Sequence, residues 1–401
     1  MKYIISLYKG EKIAGFFIFI NLFYLTHGLI PSFKMVYVIM LFLILAISFF
    51  YFCKVNATYF DSRFIKALDA FVLLITLYGL FNILQPVDPQ LIMMKPDYRP
   101  YTYLTNAYTP LLQIYPLYYF SRKGFIDEQV IKTWIIPSII AVVLAYYVSQ
   151  LKMISNINAD TVEGTNNVGY LVVSIIPTLY FFKNIIVKYS LLSFVIVLVF
   201  LCAKRGAIFI AGISLLWLLY YDLKTTSEIR KFVILILVAA ASYYIYQYVQ
   251  RIFEESYYMT FLLEKTMEGN TSGRDVLYTK AWDYFVNGSV FTVLFGNGAD
   301  STYVLLGNRA HNDWLELLTN QGTIGFIVFA LFWTVIFRYW RETKKQEYVF
   351  IVLGLCVILF FSKTLFSMWY NSISPVACLP FAWCIAKIDG LRKKQLFLYK
   401  Y

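Results

Sequence analysis

The run at residues 35–53, MVYVIMLFLILAISFFYFC, contains no charged residue, proline or glycine. An α-helix rises about 1.5 Å per residue, so a run of this length spans roughly the ~30 Å of a bilayer's hydrocarbon core. A helix also pairs its backbone polar groups internally, which hydrocarbon demands. Comparable runs lie at 13–30, 67–84, 104–120, 133–150 and 167–182, and again at 189–203, 206–221, 231–249, 318–337, 348–362 and 366–386. The pattern predicts an all-α integral membrane protein with about twelve spans of roughly 20 residues each. Pro110 and Pro116 predict a kinked or re-entrant segment at 104–120, which leaves the count at eleven or twelve. Composition agrees: 60% hydrophobic and 14% charged residues, with a mean hydropathy of +0.64, exclude a soluble globular fold.

The net charge of +12 follows membrane topology rather than nucleic acid. With the N-terminus in the cytoplasm, 23 of the 35 basic residues fall on inner segments, among them Lys9, Lys12, Lys54, Arg122, Lys224, Arg338, Lys344 and Arg392. This positive-inside bias predicts that both termini of a multi-pass protein face the cytoplasm. The first span follows Lys2, Lys9 and Lys12 without a small-residue cleavage site and reads as a retained helix. The five cysteines lie in or beside apolar runs and carry no disulfide or zinc-site spacing.

One long polar stretch, 250–313, separates spans nine and ten and is predicted on the outer face. It is acidic on balance. Within it stand Ser272-Gly273-Arg274, Trp282, Phe295-Gly296-Asn297-Gly298 and His311-Asn312-Asp313, followed by Gly322-Thr323-Ile324-Gly325. Leu277, Ala281, Trp282 and Phe285 have the spacing of an apolar stripe, which predicts a helix over 274–285. Gly273 before it would leave free N–H groups beside Arg274, a cradle for an anion. Trp314, Leu315, Leu317 and Leu318 predict re-entry into the membrane as a helix. A proline-rich outer segment, 85–103, reads as an irregular loop over the same face.

Arg205 is the sharpest residue outside this stretch. It lies in Lys204-Arg205-Gly206, at the outer boundary between spans seven and eight. A charge beside hydrocarbon costs about 2.5–3.5 kcal/mol unless it snorkels or is paired. Two readings stand: a snorkelling arginine, or one whose fork grips diphosphate oxygens, with Gly206 admitting close approach. Arg274 is either a solvated loop residue or the second half of such a clamp. His311, one of two histidines, is either structural or a base for a sugar hydroxyl, with Asn312 and Asp313 fixing its tautomer. An ordinary histidine would lose that capacity below a midpoint near 6.5. Neither histidine has partners for a metal site, so neither metal nor cofactor is expected.

In the order of these motifs the chain resembles the O-antigen ligase and O-antigen polymerase superfamily. The resemblance rests on Arg205-Gly206 opening a span, then Arg274, Trp282, the Phe295 to Gly298 turn and His311-Asn312 in one long loop. Leu315, Leu318, Gly322 and Gly325 match the helix that follows, and Gly164-Thr165-Asn166-Asn167 with Pro177 resembles the Asn-rich approach to span six. The strong likeness covers roughly 160–335. Lys204 departs from the pattern, because relatives commonly carry small hydroxylated residues there.

The resemblance implies a GT-C-like multispan glycosyltransferase. Its donor would be an oligosaccharide on undecaprenyl diphosphate, and inversion would occur at the anomeric carbon. Arg205 and Arg274 would stabilise the leaving diphosphate and His311 would serve the acceptor hydroxyl. Lys204, Gly206, Gly273, Trp282, Gly296, Gly298, Asn312 and Asp313 would line the substrate site. A polymerase of O-antigen or capsular repeat units is the leading reading, with a flippase and a chain-length regulator as partners. A ligase using a lipid A-core acceptor is the rival. A lipid-glycan flippase fits less well, since such proteins place charge near the bilayer midplane and these spans are almost free of it.

Overall fold

The computed structural model describes residues 2–27, 33–85, 99–156, 168–202, 204–255, 274–370 and 374–398. Ser272, Gly273, Gly164 to Asn167 and the 86–98 part of the proline-rich segment lie outside the described residues. Among those residues every regular element is a helix. Six are long and apolar enough to cross a membrane: Lys34–Tyr59, Arg63–Leu84, Glu128–Ser149, Arg205–Thr225, Asp313–Lys345 and Glu347–Phe366. The chain is an all-α membrane protein. Helices Lys2–Leu25, Ile185–Leu201, Glu228–Glu255 and Pro375–Leu398 cover further expected runs.

Lys34–Tyr59 turns Met35, Phe42, Phe49 and Phe50 outward. Such a surface is a liability in water and an ordinary solvated face in lipid. Glu347–Phe366 is the opposite case and is buried along most of its length. Around it and Asp313–Glu342 sits an aromatic core, with Trp333 against Trp369 at 5.3 Å, Phe332 against Trp369 at 5.5 Å and Phe71 against Phe329 at 5.1 Å between ring centroids. Tilted and edge-on pairs of this kind add to area burial.

Proline chemistry explains where the structure departs from simple spans. The run at 104–120 is two helices, Tyr101–Leu112 and Ile114–Arg122, meeting at Gln113. The run at 167–182 is two short pieces, Val168–Val173 and Ile176–Leu179. Pro177 has no N–H to offer the preceding turn, so one continuous helix is disfavoured. The expected last span at 366–386 is displaced. Glu347–Phe366 runs to its end, and the next helix begins only at Pro375, a residue suited to a first helical position.

The polar stretch before Asp313 forms helices Arg274–Val286, Val290–Phe295 and Ser301–Leu306, and all three pack on Asp313–Glu342. The predicted stripe is narrower than expected. Only Ala281 is buried, Leu277 and Phe285 are half-covered, and Trp282 is exposed against Phe285. Contact falls along the Ala281 line, where Thr319 Oγ1 donates to the Ala281 carbonyl at 3.3 Å.

Candidate functional site

Three helices begin where one helix ends. Arg205, Arg274 and Asp313 are the first residues of Arg205–Thr225, Arg274–Val286 and Asp313–Glu342. All three starts adjoin the last turn of Glu347–Phe366. Arg274 Nη1 donates to the Phe366 carbonyl at 3.1 Å, and Asn312 Nδ2 donates to the Leu365 carbonyl at 3.3 Å. A Cβ added to Gly206 would come within 2.9 Å of Phe366 Cβ. The carbonyls that end a helix have no partner within it, and here the neighbouring elements supply one. Helix N-termini carry partial positive charge, which adds to that of Arg205 and Arg274 at the starts of their helices, while the third start carries the acidic Asp313.

The charges of this cluster feel one another. Burial first, then the positive charges of Arg274 and Arg205, together lower the pKa of Lys204 to about 8. Burial likewise depresses His311, to about 4, with Arg274, Lys204 and Arg309 adding to the effect. The ordinary midpoint near 6.5 is therefore not that of this histidine: its ring is neutral at pH 7 and stays so well into acid. Among the described residues neither Lys204 nor Arg274 forms a salt bridge. Arg309 differs. Burial disfavours its charge, but Asp300 and Glu316 outweigh that and raise its pKa, and its Nη2 sits 3.0 Å from Asp300 Oδ1.

His311 occupies the left-handed region at φ 55, uncommon for residues other than glycine but more open to histidine, asparagine and aspartate than to most. Among the described residues its ring makes no hydrogen bond. The tautomer-fixing roles expected of Asn312 and Asp313 are not seen, because both side chains are committed elsewhere. Asn312 Oδ1 caps the helix, accepting from the Trp314 and Leu315 N–H groups at 3.0 and 3.2 Å. Asp313 is fully buried and its Oδ2 accepts from the Trp369 N–H at 2.6 Å.

Gly296 and Gly298 also take a different role from the expected one. Helix Asp313–Glu342 is broken at Gly322, with φ 65 and ψ −160. The break frees carbonyls that N–H groups of the following turn would otherwise bond. The Phe295 to Gly298 turn collects them, with Asn297 N–H donating to the Thr319 carbonyl at 2.9 Å and Gly298 N–H to Asn320 at 3.0 Å. A Cβ at Gly296 would stand 2.3 Å from the Asn320 carbonyl oxygen, and one at Gly322 would stand 2.5 Å from Gly296 N. The two glycines admit each other's backbone, so this turn is a wedge that holds the kink. Trp282 lies on the exposed side of its helix, away from these contacts.

Beneath the wedge is a buried polar core that sequence reading passed over. Glu316 accepts from Thr302 Oγ1 and from the Ala310 N–H at 2.6 Å, and Asn320 Oδ1 accepts from Ser301 Oγ at 2.7 Å and from the Thr302 N–H at 3.0 Å. These bonds seat helix Ser301–Leu306 and the 309–310 backbone that leads into His311. Two more residues were missed. Lys363 is buried in the last turn of Glu347–Phe366, and its place in the otherwise apolar Phe360-Phe361-Ser362-Lys363-Thr364-Leu365-Phe366 was the available signal. Tyr170 follows the Asn166-Asn167 pair. Its ring lies 6.0 Å from Lys204 Nζ and 5.5 Å from Lys363 Nζ, and its hydroxyl donates to the Phe366 carbonyl at 3.1 Å. Among the described residues no group of three His, Cys, Asp or Glu side chains is arranged to hold a metal ion.

Geometry thus joins Lys204, Arg205, Gly206, Arg274 and His311 at one place, with Asn312 and Asp313 as supports and Gly296 and Gly298 one step behind. Gly273 lies outside the described residues. No protein-family model matches this chain, and no curated protein matches it.

Proposed function

We propose that this protein is a glycosyltransferase of the O-antigen ligase and polymerase superfamily, acting on oligosaccharides carried by undecaprenyl diphosphate. The observation that carries the reading is the surplus of positive charge beside a neutral histidine: Lys204 and Arg274 have no salt bridge among the described residues, and Arg274 and Lys204 both act on His311. Such a site is at its most stable with an anion of two or more charges bound in it, and a diphosphate is such an anion.

In this mechanism the acceptor hydroxyl attacks the anomeric carbon from the side opposite the diphosphate. The new C–O bond forms as the bond from the anomeric carbon to the diphosphate oxygen breaks, and that oxygen keeps the electron pair. Arg205 and Arg274 offset the charge it gains, the contribution that grows most toward the transition state. The hydroxyl proton passes to the His311 ring, which is neutral at pH 7 and open to accept it. Asn312 holds the helix start that aims His311. The Gly296–Gly322 wedge holds the loop against the kink.

The reading includes the finer architecture: a GT-C-like arrangement of about twelve spans in the bacterial inner membrane, both termini cytoplasmic and 250–313 periplasmic. Polymerisation is the reaction we propose. The test is turnover by the purified protein in lipid nanodiscs with an undecaprenyl-diphosphate-linked repeat unit as donor. A second lipid-linked repeat unit and lipid A-core are supplied as acceptors in separate arms. The expected outcome is a lengthened lipid-linked glycan with release of undecaprenyl diphosphate in the first arm. Transfer only to lipid A-core would reassign the protein as a ligase, and no release in either arm would overturn the reading.

A further inference from the structure

Arg205 and Arg274 lie on different elements, one opening a membrane helix and the other opening a loop helix. Two cations grip one diphosphate only if something fixes the distance between them. One carbonyl stands between the two. Phe366 O accepts from Arg274 Nη1 and from the Tyr170 hydroxyl, each at 3.1 Å. On its other side the same tyrosine hydroxyl sits over the helix that Arg205 begins: a Cβ at Gly206 would lie 2.3 Å from it. Gly169 lets the backbone before Tyr170 pack closely on the same region, since a Cβ there would meet the Cβ atoms of Lys204, Cys202 and Ala207 at 3.1–3.2 Å. The tyrosine is 3% exposed, so its hydroxyl has little water to turn to.

We propose that Tyr170 is a positioning residue that acts through the Phe366 carbonyl to set the spacing of Arg205 and Arg274 for a diphosphate. The proposal rests on the functional reading above. The hydroxyl fills one lone pair of that carbonyl and leaves the other for Arg274, which fixes the guanidinium's approach. Its contact with Gly206 keeps the start of helix Arg205–Thr225 against the same turn. Without the hydroxyl, Arg274 has a carbonyl free to move and Arg205 loses the stop above Gly206. The ring itself, flanked by the ammonium groups of Lys204 and Lys363, remains in place in a phenylalanine.

The test is binding of farnesyl diphosphate, a short polyprenyl diphosphate, to the full-length protein in detergent, alongside turnover with the lipid-linked donor. Tyr170→Phe should weaken binding roughly ten-fold, the upper scale of one hydrogen bond, with an unchanged melting temperature. Arg274→Ala should weaken it more. The double variant should bind no worse than Arg274→Ala, because the tyrosine works through that arginine. Tyr118→Phe, which removes a buried hydroxyl from a cluster elsewhere in the fold, should leave affinity unchanged and lower stability instead. Losses that multiply in the double variant, wild-type affinity in Tyr170→Phe, or no diphosphate binding by the wild type would each overturn the proposal. Coupled binding with no glycan turnover by the wild type would uphold the positioning role and remove the glycosyltransferase reading. Normal turnover and donor KM in Tyr170→Phe would do the reverse.

Discussion

Helix Asp313–Glu342 carries a buried polar cluster at each end, and the two are built on opposite rules. Near its far end, Asp389 accepts from Ser62 Oγ at 2.7 Å, Tyr118 OH at 2.8 Å and Tyr339 OH at 2.6 Å, and Arg392 supplies the counter-charge at 3.4 Å while also bonding Glu342. One carboxylate there draws donors from four helices and its charge is answered inside the protein. At the near end, Arg274, Lys204 and Arg309 act on a neutral His311, Arg205 adjoins Lys204, and the partner seen for Arg274 is an uncharged carbonyl. A closed network stabilises the native state and asks for nothing more. An open one holds positive charge that a ligand can answer. The difference separates a tie from a site.

The comparison breaks most readily at the tie. Asp389→Ala leaves three hydroxyls and an arginine facing a void, and removing one partner of a buried charged network costs on the order of 3–5 kcal/mol. The expected outcome is a large fall in melting temperature and abundance, with turnover per folded molecule unchanged. Lost turnover in protein that remains folded would show that the two ends are coupled rather than separate.

Next in size is the reverse experiment. Arg205→Ala and Arg274→Ala should each slow transfer about 10²–10³-fold, the scale of losing one donor to a developing anion, while the melting temperature holds or rises as like charges are relieved. Lysine should rescue only in part, since it has no bidentate fork. Near-normal polymer length and amount in either alanine variant, measured at equal abundance, removes that arginine from the site.

How much of this was legible in the sequence follows from the same contrast. Residues that advertise themselves by charge in an apolar setting, Arg205 and Arg274, were singled out, as was His311 through its loop, and the structure brings them to one place. The helix over 274–285 and the kink at Gln113 were readable because periodicity and proline act locally. Tyr170 was not readable: one tyrosine of 35, with aromatic runs around it, carries no local mark, and its meaning comes from a carbonyl 196 residues away. Asp389 was hidden for the same reason. Gly296 and Gly298 were read as substrate contacts because a glycine turn beside a membrane looks the same whether its backbone approaches a ligand or a broken helix. Only the positive φ at Gly322, which sequence does not disclose, decides between them.

A smaller effect sharpens that last distinction. Gly296→Ala combines a left-handed φ of 77 with a Cβ driven into backbone, whereas Gly298, at φ 99, has open space around its would-be Cβ. Backbone strain of this type costs about 1–3 kcal/mol. The expected result is a clear loss of stability at Gly296, from strain plus collision, and a lesser one at Gly298 from strain alone. If Gly298 touched substrate as well, Gly298→Ala would reduce donor affinity in addition to its small loss of stability, which a paired binding and melting measurement distinguishes.

The smallest effect is a pH profile, and it probes the open cluster most directly. In the free protein His311 is depressed to about 4 by burial, then by Arg274, Lys204 and Arg309. Its proton-accepting form is therefore complete at neutral pH and is lost only as pH falls through that value, so kcat/KM should stay level well below 6.5 on the acid side. Lys204 is lowered to about 8 by burial, then by Arg274 and Arg205. Its ammonium is present below that value and is lost as pH rises through it, which predicts a decline of kcat/KM on the alkaline side. Bound diphosphate brings negative charge beside both groups and favours their protonated forms. Both limbs should consequently move to higher pH in the profile of kcat, which reports the complex rather than the free protein. Lys204→Met provides the internal check. It should abolish the alkaline limb and, by removing one of the charges acting on His311, shift the acid limb upward. An acid limb near 6.5 that Lys204→Met does not move would mean that the ring is solvated like a surface histidine and that the cations do not gather around it.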